Sequence, residues 1–132
     1  MTIGKVFHLT PLVNDLDLAV KRLEMVFAPH VYYRGYEPNI NNRDAALMVV
    51  GDFVIEPMHP RAPVEGPGTA HFRYLERFGE GIHSLALYAR DIAGMETRFE
   101  ATGVRRTDGG MPGALFTHPK DFPGLIEFFE PR

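Results

Sequence analysis

The sequence Ile82-His-Ser-Leu-Ala-Leu-Tyr-Ala decides the fold, because it predicts a strand that leads directly into a helix and because the same pattern occurs twice. Its aliphatic residues indicate a mostly buried strand. Asp91 then stands where the N-cap of a helix is expected. The earlier copy is the strand of residues 5–13, Lys-Val-Phe-His-Leu-Thr-Pro-Leu-Val, after which Asn14 or Asp15 is the expected cap. Each half of the chain therefore begins with a strand and a helix.

The two strand–helix units superpose at a constant offset of 76 residues. Identical or similar residues recur at that offset, namely Asp15 and Asp91, Leu16 and Ile92, Arg22 and Arg98, Leu23 and Phe99, and Glu24 and Glu100. The apolar members keep helical spacing, and Pro29 and Gly103 are typical helix stops. We therefore predict an internal repeat of a strand followed by a helix.

Three further strand signals follow each helix: residues 31–35, 45–50 and 53–58 in the first half, and 104–106, 114–117 and 125–129 in the second. Gly51 and Asp52 predict a tight hairpin turn. Thr69 caps a short linker helix that ends at Gly79. The order predicts an α+β fold of two βαβββ modules whose strands form one cupped mixed sheet. We expect a single domain over 1–132, with half one at 5–59, the linker helix at 69–79 and half two at 81–130.

Composition narrows the class of protein. A chain of 132 residues suits one domain. It has no run of about 18 apolar residues and no signal-peptide pattern, from which we expect a soluble, cytoplasmic protein without a membrane partner. A formal charge of -3 without a basic cluster argues against nucleic acid as a partner. Because the chain has no cysteine, any metal must be bound by His, Asp or Glu.

Three stretches of the chain carry a resemblance to a known family. They are His8-Leu-Thr-Pro-Leu-Val-Asn-Asp-Leu, then Phe72-Arg-Tyr-Leu-Glu-Arg-Phe-Gly-Glu-Gly-Ile-His, and Phe116-Thr-His-Pro-Lys with the later Gly124-Leu-Ile-Glu. They resemble the methylmalonyl-CoA epimerases of the vicinal oxygen chelate superfamily, which also contains glyoxalases, bleomycin-resistance proteins and ring-cleaving dioxygenases. The resemblance implies a glyoxalase-like fold, in which concave sheets hold a divalent metal that grips substrate oxygens and acidifies a proton beside a carbonyl.

The resemblance also implies the metal ligands. His8, Glu56 and Glu127 match three ligand positions of the family, and the metal would be Co, Mn, Ni, Zn or Mg, or be absent. At the fourth position the repeat places Ser84, and His83 is the alternative metal ligand if the strand slips by one residue. The residues themselves point the same way, since a charged glutamate within an apolar strand needs a cation, a partner or solvent.

The expected acid–base chemistry also follows from the resemblance, which implies a base on each side of the reacting carbon. Glu127 is the expected catalytic base. Relatives carry a further glutamate on the third strand, but residues 45–50 contain no carboxylate, and Asp44 and Asp52 only flank that stretch. We therefore expect little or no methylmalonyl-CoA epimerase activity, since a missing acid or base costs about 10²–10⁴ in rate.

Four further residues are candidates for the substrate pocket: Ser84, Tyr88, His118 and Lys120. Ser84 and Tyr88 share one face of a predicted strand. Ser84 has no recognisable His and Asp partners of a catalytic triad, which argues against a serine nucleophile. His118 and Lys120 could contact a substrate carboxylate, although a turn histidine before proline is more often structural.

These residues predict a metal-dependent isomerase, epimerase or lyase that acts beside the carbonyl of a small acyl substrate. The alternative is a metal-free small-molecule binding protein of the bleomycin-resistance type, which Ser84 and the missing third-strand carboxylate favour. A ring-cleaving dioxygenase is a second alternative and would need His83. The residues do not identify the substrate, and a CoA thioester is implied only by the resemblance. The resemblance also implies a homodimer, and symmetric pairs are the usual homo-oligomer.

Overall fold

The computed structural model describes residues 3–107, 113–118, 120–121 and 125–130. Pro119 and Gly124, which belong to the motifs quoted above, lie outside these ranges. The chain divides into two compact units, one of Met1–His8 with His83–Arg132 and the other of Leu9–Ile82. No helix in the described ranges is both long enough and apolar enough to span a membrane.

Three helices lie in the described ranges, and each begins after a cap that the sequence predicts. They are α1 (Leu16–Phe27), α2 (Ala70–Phe78) and α3 (Ile92–Thr102). The carboxylate of Asp15 accepts the N–H of Leu18 at 3.0 Å, and that of Asp91 accepts the N–H of Gly94 at 2.9 Å. The same cap therefore satisfies a free N–H at the start of the helix in each half of the repeat.

Nine strands lie in the same ranges: β1 (Ile3–Leu12), β2 (His30–Glu37), β3 (Arg43–Val50), β4 (Phe53–Ile55), β5 (Met58–Pro60), β6 (Gly81–Ala89), β7 (Arg106–Thr107), β8 (Ala114–Thr117) and β9 (Leu125–Phe129). Two boundaries differ from the prediction. β3 begins at Arg43, which brings Asp44 into the strand. The predicted strand 53–58 is interrupted at Glu56 and Pro57, because proline lacks the N–H that a strand ladder uses.

In the unit Leu9–Ile82, β2 pairs antiparallel with β3, and β3 pairs antiparallel with β4 and β5. The predicted turn at Gly51 and Asp52 joins β3 to β4. β5 also pairs in parallel with the end of β1, where Leu12 lies opposite Met58. Buried apolar residues of this unit include two packed clusters: Val20, Ala46 and Met48, and Leu12, Met58 and Leu75.

In the other unit, β6 runs parallel to β9, β9 antiparallel to β8, and β8 antiparallel to β7. The hydrophobic core here includes residues of α3 and of three strands: Ala89, Met95, Phe99, Leu115 and Phe128. The parallel register places Ser84 opposite Leu125, Ala86 opposite Glu127, and Tyr88 opposite Phe129.

Strand pairing follows the same order in both halves of the chain. In the second half β6 pairs in parallel with β9, β9 antiparallel with β8, and β8 antiparallel with β7. In the first half β1 pairs in parallel with β5, β5 antiparallel with β3, and β3 antiparallel with β2, while β4 is an additional strand antiparallel to β3. A helix between two parallel strands supplies the long crossover that such pairing requires. The predicted α+β class and the βαβββ repeat are confirmed.

Candidate active site

A buried histidine–glutamate pair lies in the unit that contains β6 and β9. The Nε2 atom of His8 is 3.2 Å from Oε2 of Glu127, and the two residues are only 9% and 6% exposed. The other ring nitrogen of His8, Nδ1, is buried and has no hydrogen-bond partner among the residues that the structure describes. Buried polar atoms normally have a partner, so this nitrogen has capacity for a proton or a ligand.

Two predicted pocket residues share a face of the sheet with Glu127. Residues that pair across neighbouring strands lie on the same face, and so do residues two apart on one strand. Glu127 pairs with Ala86, and Ser84 and Tyr88 each lie two residues from Ala86 on β6. The register therefore places Ser84, Tyr88 and Glu127 on one face, while their roles in binding a substrate stay predictions.

His83 lies on the opposite face of β6. It is one residue away from Ser84, so strand alternation sends it to the side of Leu87 and Phe128, which pack with α3. Burial lowers the pKa of His83 to about 4, because a charged imidazole loses its hydration there. His83 is therefore neutral at physiological pH, and its role as the alternative metal ligand stays a prediction.

Tyr88 belongs to an aromatic cluster beside the histidine. Its ring centroid lies 4.7 Å from that of Phe7 and 6.5 Å from that of Phe129, and Phe7 stacks on Phe129 at 5.4 Å. The Phe7 ring also meets the His8 imidazole edge-on at 4.8 Å. These apolar neighbours limit the access of water to the His8 ring and restrict its orientation.

Glu56 has a different kind of partner, in the unit Leu9–Ile82. Its Oε1 accepts a hydrogen bond from Nη1 of Arg43 at 2.8 Å, and both residues are buried. Arg43 also donates through Nε to Oε1 of Glu37 at 3.2 Å. One guanidinium thus binds two carboxylates. Sequence reasoning missed Arg43, although the requirement of a buried Glu56 for a cation or a partner is the signal that points to it.

Two of the three predicted metal ligands have a geometry that fits a metal ion. An ion about 2.1 Å from two ligand atoms, at an angle of roughly 90–110°, holds those atoms about 3.0–3.4 Å apart. The 3.2 Å between His8 and Glu127 lies in that range. Glu56 does not fit in the same way, since Arg43 already binds its carboxylate.

Within the described ranges, no group of three or more His, Asp or Glu side chains is arranged to hold a metal ion. Metal binding by His8, Glu56 and Glu127 together therefore stays a prediction.

The third strand carries a carboxylate that the predicted strand boundary excluded. Asp44 is the second residue of β3, and Arg61 binds it with two hydrogen bonds of 2.7 and 2.8 Å. These hydrogen bonds lower the pKa of Asp44. Because neighbouring residues of a strand face opposite sides, Asp44 and Arg43 lie on different faces of β3. Asp44 is a paired anion and a weak proton acceptor.

His118 and Lys120 lie in a turn after β8. Nδ1 of His118 accepts the N–H of Lys120 at 3.1 Å, and its carbonyl oxygen accepts the N–H of Asp121 at 2.9 Å. Hydrogen bonds from Arg105 in turn lower the pKa of Asp121 to about 2. Through these hydrogen bonds His118 stabilises the turn. Its contact with a substrate carboxylate stays a prediction.

A cavity of about 440 Å³ opens in the unit Leu9–Ile82 at the N-terminus of α1, away from the predicted site residues. Its lining includes Asp15, Asp17, Arg34 and Asp44. Asp17 pairs with Arg34, Asp44 pairs with Arg61, and Asp15 caps α1. The charges of this cavity are therefore satisfied within the chain.

Several solved structures have the same fold. Methylmalonyl-CoA epimerase from Mycobacterium tuberculosis superposes with a TM-score of 0.80 at 25% sequence identity, and the match covers 96% of this chain and 87% of that one. A hypothetical protein from Bacillus halodurans C-125 superposes with a TM-score of 0.82 at 20% identity, covering 97% and 94%. A variant of Streptomyces coelicolor methylmalonyl-CoA epimerase in complex with 2-nitronate-propionyl-CoA gives 0.80 at 20%, covering 98% and 95%.

The fold is the glyoxalase-like fold of the vicinal oxygen chelate superfamily. The similarity to methylmalonyl-CoA epimerase structures extends over nearly the whole chain, which confirms the resemblance drawn from the sequence motifs. No protein-family model and no curated protein matches the sequence. A shared fold does not carry an activity with it, so the function must be argued from the site residues.

Proposed function

We propose that the protein is a glyoxalase-fold isomerase, epimerase or lyase that moves a proton on the carbon beside the carbonyl of a small acyl compound. The observation that carries this proposal is the buried contact of 3.2 Å between His8 and Glu127. A carboxylate and an imidazole in contact can take up, hold and return one proton. The face shared by Ser84, Tyr88 and Glu127 is the proposed substrate side.

In this proposal Glu127 takes the proton from the α-carbon, and the electron pair of the broken C–H bond delocalises onto the carbonyl oxygen. Return of that proton to the opposite face of the carbon, after the planar enolate has turned over in the site, completes a one-base epimerisation, and its return to a different carbon completes an isomerisation. Departure of a β-substituent with its bonding electron pair completes a lyase reaction. His8 can hold the proton between these steps, because a neutral imidazole has one nitrogen that accepts. A divalent metal held by His8 and Glu127 would supply a Lewis acid for the carbonyl oxygen.

The proposed substrate class is an acyl-CoA thioester. Similar epimerase structures contain methylmalonyl-CoA or 2-nitronate-propionyl-CoA. On the third strand of this chain, Arg43 and Asp44 are both engaged in ion pairs, and neither offers a free base. We therefore expect slower epimerisation of methylmalonyl-CoA than a two-base enzyme achieves, because a missing base costs about 10²–10⁴ in rate.

Deuterium wash-in tests the proposed function. The purified protein is incubated in D₂O with methylmalonyl-CoA, with and without added Co²⁺ or Mn²⁺, and deuterium at the α-carbon is followed by mass spectrometry. We expect exchange above that of a protein-free control, with slow inversion. Fast exchange coupled to inversion would restore a full epimerase assignment. The absence of exchange under all three conditions would count against proton transfer on this thioester.

A metal-free small-molecule binding protein of the bleomycin-resistance type is the second candidate. The Arg43–Glu56 pair favours it, because an internal cation then occupies one of the predicted metal ligands. Calorimetric binding of an acyl-CoA without deuterium exchange would support this candidate. A ring-cleaving dioxygenase would need His83 as a ligand, and the β6 register places His83 on the α3 side.

Three expectations accompany the proposal: a cytoplasmic location, a homodimer and a single domain over residues 1–132. Symmetric pairs are the usual homo-oligomer, which supports the second. Sedimentation equilibrium measures the oligomeric state directly.

A further inference from the structure

The carboxylates of Glu37 and Glu56 both contact one positive group, the guanidinium of Arg43. We propose that Arg43 takes the place of a divalent metal at Glu56. Its guanidinium closes this carboxylate to metal ions, and its removal opens a cation site between Glu37 and Glu56. The inference rests on one part of the proposed function, the binding of a divalent metal ion, because it states which of the predicted ligands are free to hold that ion.

The geometry of the cluster resembles a cation site. Oε1 of Glu56 lies 2.8 Å from Nη1 of Arg43, and Oε1 of Glu37 lies 3.2 Å from both Nε and Nη2. Sδ of Met58 is 3.6 Å from Nη1. Oxygen atoms that approach from the end of β2 and from the segment after β4 therefore converge on one positive group.

Burial makes a cation necessary at this place. The side chains of Arg43 and Glu56 are 11% and 10% exposed, and that of Glu37 is 19% exposed. Two carboxylates held this close together in a poorly hydrated environment repel each other unless a positive charge lies between them. Arginine stays charged at every pH at which proteins fold, so this cation is permanent.

The guanidinium and a divalent ion cannot share Glu56. An ion on its carboxylate would lie within a few ångströms of Nη1, where like charges repel strongly because water screens them poorly. Glu127 differs in this respect, since its partner is the imidazole of His8, a side chain that can itself be a metal ligand. Of the two glutamates predicted as metal ligands, Glu127 is therefore open to a metal ion and Glu56 is closed.

Metal titration of the substrate-free protein tests the inference. Mn²⁺ binding is measured by isothermal titration calorimetry for the wild type, Glu56→Gln, Arg43→Met, and Arg43→Met combined with Glu56→Gln. The matched control is Arg61→Met, which removes the arginine of a more exposed pair in the same unit. Deuterium wash-in depends on His8 and Glu127, so the proposed function can fail while this titration succeeds, and the reverse.

We expect Glu56→Gln and Arg61→Met to bind Mn²⁺ as the wild type does. Arg43→Met should gain affinity by at least about tenfold, because the repulsion between the guanidinium and the ion is removed, and adding Glu56→Gln should abolish that gain. A loss of Mn²⁺ affinity in Glu56→Gln with Arg43 in place would overturn the inference, and so would a folded Arg43→Met protein without a gain. If Arg43→Met does not fold alone, recovery of its circular dichroism by Mn²⁺ supports the inference, and no recovery contradicts it.

Discussion

Glu56 and Glu127 belong to corresponding parts of the two halves, and both are buried, yet their partners differ. Glu127 contacts an imidazole, a side chain that can accept a proton or bind a metal ion. Glu56 contacts a guanidinium, which cannot. Only the first pair can therefore pass a proton to a substrate or exchange its proton for a metal ion. In a repeated fold, the partner of a buried carboxylate decides its chemistry, and its place in the repeat does not.

The largest expected effect is on the rate of deuterium exchange, which should depend on Glu127. Glu127→Gln removes the proposed base and should lower deuterium exchange at the α-carbon by about 10²–10⁴-fold. Glu130→Gln is the matched control, because it changes an exposed glutamate next to the same strand and should leave exchange unchanged. Mass spectrometry of the thioester after fixed times gives both rates. Equal exchange in Glu127→Gln and the wild type would remove Glu127 from the mechanism.

The second effect is on stability and concerns the cluster around Glu56. In metal-free buffer, Arg43→Met leaves the buried carboxylate of Glu56 and the half-buried one of Glu37 without their cation, and should lower the free energy of unfolding by about 3–5 kcal/mol. Adding Glu56→Gln should recover part of that loss, since one uncompensated charge is removed. Urea denaturation followed by circular dichroism measures both. A loss below about 1 kcal/mol would show that Arg43 contributes no more than an exposed ion pair does.

The third effect tests the buried histidine behind the proposed site. The pKa of His83 falls from 6.5 to about 4 on burial, so between these values the unfolded chain binds a proton that the folded chain does not. Stability should therefore fall as the pH drops from 6.5 towards 4, by about 3 kcal/mol in total. In His83→Asn this part of the pH dependence should vanish. Parallel stability curves for the two proteins over that range would refute the assignment.

The smallest effect compares the two helix caps of the repeat. Asp15→Ala and Asp91→Ala each remove a hydrogen bond to the first turn of a helix. Each should lower the free energy of unfolding by about 1 kcal/mol. Thermal unfolding of the two single variants measures these losses. Equal losses would show that the caps of α1 and α3 stabilise the protein to the same extent. A loss confined to one variant would mean that the other helix start is held by its packing alone.

The sequence by itself determined the βαβββ repeat, the helix caps at Asp15 and Asp91, and the turn at Gly51. These features depend on periodicity, capping and turn chemistry, which act between residues close together in the chain. It also singled out His8 and Glu127 through a resemblance to a family whose fold the structure shares.

Only the tertiary structure decided which groups these residues meet. Arg43 and Glu56 are on different segments, and their contact depends on where β3 begins and where the strand after it breaks. His8 and Glu127 lie near opposite ends of the chain and come together only when both strands join the sheet. Register fixes which side chains share a face, and a single-residue step exchanges the faces. Long-range register therefore decided that Glu127 faces an imidazole and Glu56 faces a guanidinium.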